Sequence, residues 1–189
     1  LLSGRDQANM VLLRGWSTLP DLPQIGEVLR LNPAAIAAYP MYRGLAELVG
    51  MKVIPTGSTF ESEFETLKSH YAEHDFFYIH FKSTDAAGED GDFEAKKRAL
   101  ESLDGWIPNL LDLKPDVFIV AGDHSTPSAM AGHSWHPVPF LLHSKHTAGE
   151  GVDRFHERAL RGGSLGQFPA KDIMSLAMAH AGKLLKFGA

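Results

Sequence analysis

The amino-acid sequence predicts an α/β sandwich around a mostly parallel sheet, on three observations. Apolar runs at 76–81 and 117–120 are too short for helices, and the first is too apolar for a half-exposed strand, as expected of buried parallel strands. Segments with helical apolar spacing lie between such runs, and Gly or Pro marks most of the joins. In folds of this class ligands bind in the loops beyond the carboxyl ends of the strands.

Taken in order, Val11-Leu12-Leu13 reads as a strand, and the following stretch, punctuated by Pro20, Pro23 and Gly26, reads as a loop. Asn32-Pro33 offers an N-cap with proline at the first helical position, but Tyr39-Pro40 breaks any helix there. A strand or short helix therefore precedes a helix over Met41 to Val49, which Gly50 ends. Met51 to Ile54 is a short strand closed by Pro55-Thr56-Gly57, and Ser62 to Tyr71 carries Phe64, Leu67 and Tyr71 as a helical stripe. Phe76 to Phe81 is a buried strand. The polar loop Lys82 to Asp92 leads into a helix over Phe93 to Asp112, with Leu100, Leu103, Leu110 and Leu111 on its buried side and an interruption near Pro108. Lys114-Pro115-Asp116 turns the chain into a second buried strand, Val117 to Val120. After the loop Gly122 to His136, Pro137 to Leu142 reads as a strand whose two prolines favour an edge or a strand start. His143 to Pro169 is loop-rich, and Ala170 to Phe187 forms a closing amphipathic helix. Lys96-Lys97-Arg98 reads as a solvated helix face, Met174 and Met178 as core. Neither Gly149 with Gly151 nor Gly162-Gly163 opens a helix directly after a strand, so both pairs read as turns, not phosphate loops.

Composition narrows the function. A chain of 189 residues buries roughly 70% of its unfolded surface and needs no metal merely to fold, so a metal site points to chemistry. The net charge of −5 is spread without a block of one sign, which gives no support for a nucleic-acid or anionic-membrane surface and favours a small partner. No apolar run reaches the eighteen or so residues of a membrane span, and the first residues are not a signal peptide. The absence of cysteine removes disulfides, thiol nucleophiles and thiolate zinc sites, and fits a reducing, cytoplasmic compartment. The chain begins Leu1-Leu2-Ser3 without methionine, which points to something removed upstream.

Metal-capable side chains gather in the loops. Asp85 and Glu89 follow one strand, Asp123 and His124 follow the next, and His133 with His136 precedes the third. Carboxylates and imidazoles without thiolates suit zinc, manganese or iron. Two such ions can clamp the attacking and leaving oxygens of a phosphoryl transfer. Asp123-His124 is the strongest pair, since an adjacent carboxylate and imidazole at a strand end can serve two metals. His80 reads as a core or rim histidine, and His70, His74, His143, His146, His156 and His180 read as surface residues.

Five stretches together resemble the cofactor-independent phosphoglycerate mutases of the archaeal type, within the alkaline phosphatase superfamily. They are Leu12-Leu13-Arg14-Gly15, 37–44 (Ala37 to Gly44), 80–92 (His80 to Asp92), Gly122-Asp123-His124-Ser125-Thr126-Pro127, and 133–139 (His133 to Pro139). The resemblance runs over nearly the whole chain. It implies an alkaline phosphatase-like three-layer sandwich, present in part over 31–189, preceded over 1–30 by the end of an inserted substrate-binding domain. It also implies two divalent metal ions, manganese or zinc, and a small phosphorylated substrate, phosphoglycerate. Asp85, Glu89 and His133 would hold one ion, and Asp123 and His124 would help hold the other. Many family members carry histidine where this chain has Glu89, and a carboxylate there adds negative charge. Arg14 and Arg43 match positions that neutralise the substrate's phosphate and carboxylate, a bidentate task suited to guanidinium. Lys82 offers a further cation.

The resemblance places the nucleophilic serine and a further metal-binding aspartate in an N-terminal segment, and nothing in Leu1 to Trp16 matches either. Ser125 is not used so in the family pattern. The expectation is thus the C-terminal part of a mutase working through a phosphoserine, inactive alone, with no nucleic acid or membrane partner. A homo-oligomer, or pairing with the absent segment, remains open. The alternatives are a metal-dependent phosphatase or phosphonate-ester hydrolase of the same superfamily, or a non-catalytic fragment.

Overall fold

A computed structural model describes residues 15–149 and 152–184 and a few isolated positions before residue 15. The chain divides into two compact units, residues 1–80 and 81–189.

In the first unit α1 (Ile25–Leu29) precedes β1 (Pro33–Ala37), α2 (Pro40–Leu48), β2 (Lys52–Val53), α3 (Phe60–His70) and β3 (Phe76–His80). The three strands form a parallel sheet ordered β2-β1-β3. Its register pairs Ala34 with Lys52 on one side and Pro33 through Ala37 with Phe76 through His80 on the other. Central β1 is buried along its whole length, and Ala34, Ala35 and Ala37 are small enough for helices to pack closely against it. Ala35, Ala46 of α2 and Met51 form one buried cluster, flanked by Ile25, Val49, Val53, Phe76 and Tyr78. Proline is tolerated in this central strand because it is the first residue of β1.

α3 starts with a reciprocal cap: Thr59 Oγ1 accepts from the Ser62 N–H at 3.2 Å, and Ser62 Oγ accepts from the Thr59 N–H at 3.2 Å. Phe64 and Leu67 are buried as the helical stripe requires. The same helix also buries Glu63, whose Oε1 accepts from the Ala38 N–H at 2.9 Å. Burial pushes its carboxyl up to about 7, against the partial relief of that hydrogen bond. Because the folded value lies above the unfolded 4.5, Glu63 is harmless below that pH and costs stability as pH rises through about 7. Glu63→Gln keeps an acceptor for Ala38 and never ionises. It is expected to be more stable than the parent chain above neutrality, by on the order of 2 kcal/mol, with the gap closing in acid. Urea unfolding at both ends of that pH range checks it.

In the second unit α4 (Ser83–Glu89), α5 (Phe93–Asp104) and α6 (Ile107–Asp112) lead to β4 (Val117–Ala121), and β5 (Phe140–Ser144), α7 (Glu157–Leu160) and α8 (Ile173–His180) complete it. Asp92 caps α5, its Oδ1 accepting from the Ala95 N–H at 2.8 Å. Ser144 Oγ ties the end of β5 to α8 through His180 Nδ1 at 2.8 Å, and also accepts from the His146 N–H at 3.1 Å.

Several expectations need correction. β4 pairs antiparallel with β5, from Val117 opposite Ser144 to Ala121 opposite Phe140, so the parallel order holds for β1 to β3 alone among the described strands. Leu12 and Leu13 are exposed and in no strand, and Val11 lies outside the described residues. Lys82 to Asp92 is mostly the helix α4, which carries too few apolar residues to show a stripe but is helical in its Ala-Ala segment. The helix expected over 93–112 is two helices parted at Gly105-Trp106, with Pro108 in the first turn of the second. The break takes the leucines off a common face: Leu110 is buried, while Leu100 and Leu111 are exposed. The closing helix is shorter than expected, α8 following a 3-10 turn at Ala170–Asp172. No helix long and apolar enough to cross a membrane occurs among the described residues.

Candidate metal centre

α4 carries Asp85 in its first turn and Glu89 in its last, with Lys82 just ahead of it. A carboxylate in the first turn is favoured by the unpaired N–H groups there. The chain after β4 carries Asp123, His124 and Thr126, then reverses through Pro127, a 3-10 turn at Ser128–Met130 and Ala131 in the left-handed region at φ 46°. The reversal lets Ser125 and Ser134 form an antiparallel bridge, the Ser134 N–H donating to the Ser125 carbonyl at 2.8 Å. His124 and His133 flank that bridge with ring centroids 3.9 Å apart.

Asp85, His124 and His133 each present a ligand atom, all within 4.8 Å of one another. Asp85 Oδ1 lies 3.8 Å from His124 Nδ1 and 3.7 Å from His133 Nε2. The Lys82 ammonium pairs with Asp85 Oδ2, and the Thr126 hydroxyl donates to Asp85 Oδ1. Burial alone would raise the Asp85 carboxyl. The hydrogen bonds from Lys82 and Thr126, with the charges of Lys82 and His124, outweigh burial and hold it below the ordinary carboxylate value. The site thus keeps an anionic oxygen beside two imidazoles. Each imidazole offers one lone pair to a cation. One carboxylate and two imidazoles, with no thiolate, fit a borderline divalent metal such as zinc, manganese or iron.

The remaining predicted residues fall around this triad. Glu89 lies at its edge, Oε1 being 3.3 Å from His133 Nε2 and Oε2 3.7 Å from Lys82 Nζ. Asp123 Oδ2 is 3.5 Å from His124 Nε2, and its Oδ1 accepts from the His124 N–H at 3.1 Å. Arg43 lies on α2 in the first unit, half-buried. Arg14 lies outside the described residues.

Sequence reasoning missed three contributors. Thr126 is buried and joins Asp85 to His124, its Oγ1 lying 3.0 Å from His124 Nδ1. Lys96 is not part of a solvated face: its ammonium donates to the Thr126 carbonyl, while its neighbour Lys97 pairs in solvent with Glu101 at 3.8 Å. Gly88 supplies the space, since a Cβ there would overlap the Thr126 carbonyl and crowd Lys96 Nζ at 3.0 Å. Thr126 stands only two positions beyond His124, which is the one signal the sequence carried.

Comparison with known proteins points to a family of metalloenzymes. Over 190 residues the chain is 53% identical to a protein of Thermosipho melanesiensis named probable 2,3-bisphosphoglycerate-independent phosphoglycerate mutase. That match covers all of this chain and 47% of the relative, so the chain spans about half the length of the curated relatives it matches. Its structure is similar to that of the PH0037 protein from Pyrococcus horikoshii, with a TM-score of 0.88 at 30% identity over 93% of this chain and 57% of that one. The cofactor-independent phosphoglycerate mutase from Thermoplasma acidophilum shares the fold, with a TM-score of 0.67 at 23% identity over 86% of this chain and 40% of that one. Residues 3–180 match the metalloenzyme superfamily, and with most of its length accounted for in this way the chain belongs to that superfamily.

Proposed function

We propose that this chain is the metal-holding part of a phosphoglycerate mutase that interconverts 3-phosphoglycerate and 2-phosphoglycerate without a bisphosphoglycerate cofactor. The observation that carries it is the convergence of Asp85, His124 and His133 in a chain that, over its own whole length, matches 47% of a protein named as such a mutase. Asp85, Glu89 and His133 hold one ion and Asp123 and His124 help hold a second, each manganese or zinc. Glu89 beside His133 supports its place in the first set. Residues 1–30 form the end of a substrate-binding domain and 31–189 part of the catalytic domain.

When bound, the metals supply charge stabilisation for the transferring phosphoryl group and favour the ionised nucleophile. Lys82, already set among carboxylates at the start of α4, adds a fixed cation for the substrate's phosphate. Arg14 and Arg43 grip phosphate and carboxylate, so that glycerate can turn while its phosphoryl group is parked on a serine supplied by another segment of the complete protein. The lack of cysteine suits work in the cytoplasm.

Incubating the complete protein and 3-phosphoglycerate with manganese is expected to yield 2-phosphoglycerate with little free phosphate. Efficient phosphate release without 2-phosphoglycerate would show a phosphatase instead.

A further inference from the structure

The metal-site reading says which atoms would bind an ion, but a neutral imidazole offers only one lone pair, and something must decide which nitrogen keeps it. The inference below rests on that reading. Asp85, paired with Lys82, is an acceptor only, so the hydrogen between Asp85 Oδ1 and Thr126 Oγ1 belongs to the threonine hydroxyl. A hydroxyl has one proton. With it committed to Asp85, Thr126 Oγ1 faces His124 Nδ1 at 3.0 Å as an acceptor, and that contact is favourable only when Nδ1 carries the hydrogen. Nε2 then holds the lone pair.

The threonine is fixed well enough to perform this task. It is 4% exposed, its carbonyl accepts from the Lys96 ammonium, and its backbone lies against Gly88, where no side chain intervenes. The β-branch further limits rotation of the hydroxyl about χ1.

We propose that Thr126 is a positioning residue: its hydroxyl, committed to Asp85, locks His124 in the Nδ1–H tautomer and so leaves Nε2 as the nitrogen available to a metal. Hydrogen bonds of this kind from the ring nitrogen away from the ion are worth roughly 10- to 100-fold in metal affinity.

The test is nitrogen NMR on histidine-labelled chain in alkaline buffer without metal, with the His124 signals assigned by their loss in His124→Gln. The parent chain is expected to show the Nδ1–H tautomer. Thr126→Val, which keeps the shape and loses the hydroxyl, is expected to shift His124 towards Nε2–H or a mixture, and Thr126→Ser to restore Nδ1–H. Titrated with zinc, Thr126→Val is expected to bind about 10- to 100-fold more weakly than the parent, and Thr126→Ser nearly as tightly. An unchanged His124 tautomer in Thr126→Val overturns the proposal, as does a Thr126→Ser variant that folds with parental amide shifts yet fails to recover it. If the tautomer follows the hydroxyl while the parent chain takes up no zinc, the positioning role stands and the metal reading fails.

Discussion

Asp85→Ala is expected to weaken zinc or manganese binding by at least ~100-fold, more than the loss of any other single side chain near the site. The reason is its position. Asp85 is the carboxylate within reach of both His124 and His133, and it also receives Lys82 and Thr126. Without it the two imidazoles keep their lone pairs, but the anion that draws a cation to them is gone and the Lys82 charge is left beside them. Glu89→Ala leaves the triad intact and should cost clearly less. Calorimetric titration of the two variants measures the order directly. Equal losses would mean that Asp85 is no more central than Glu89.

Gly88→Ala carries the second large effect, although alanine is the better helix former and α4 is regular there. A methyl group on Gly88 would overlap a backbone oxygen, that of Thr126, which cannot swing aside as a side-chain tip can. Relief requires α4 and the 124–126 segment to part, which separates Asp85 from Thr126 and displaces the Lys96 contact. Overpacking of this kind costs about 3 kcal/mol where backbone must move. Thermal unfolding should fall by several degrees, with zinc affinity falling alongside it. A variant as stable as the parent, with unchanged zinc affinity, would show that the approach of these two segments is not as tight as described.

The parts of the site that were legible in the sequence are those that sit next to an element signal. His124 follows an apolar strand directly, His133 stands where the chain re-enters towards the next strand, and Asp85 follows the aromatic run of β3. Donor type and position marked them as candidates, together with Glu89 and Asp123, and the family resemblance supplied the ligand sets. Thr126 and Lys96 were not legible because their partners lie 41 and 30 residues away, and hydrogen bonding across such separations leaves no mark on periodicity. The parallel sheet was readable from the aromatic run of β3, which lacks alternation although the strand is only half-buried, whereas the region of β1 was legible only as a strand or short helix. Val117 to Val120 shows the same apolar run but is half-buried and pairs antiparallel, since apolar content carries no information on the direction of a neighbour. α4 escaped for a related reason: Ser83-Thr84-Asp85-Ala86-Ala87-Gly88-Glu89 needs no apolar stripe when its buried face consists of Ala87 and Gly88.

Crystals of this chain grown with zinc and measured at the zinc absorption edge decide whether Asp85 and His133 hold a divalent ion beside His124. The expected result is an anomalous peak about 2.0–2.2 Å from one oxygen of Asp85 and one ring nitrogen of His133, absent from Asp85→Ala crystals, with any second peak lying at His124 Nε2 beside Asp123. Crystals grown with zinc that show no peak between Asp85 and His133, or that keep it in Asp85→Ala, would overturn the metal reading.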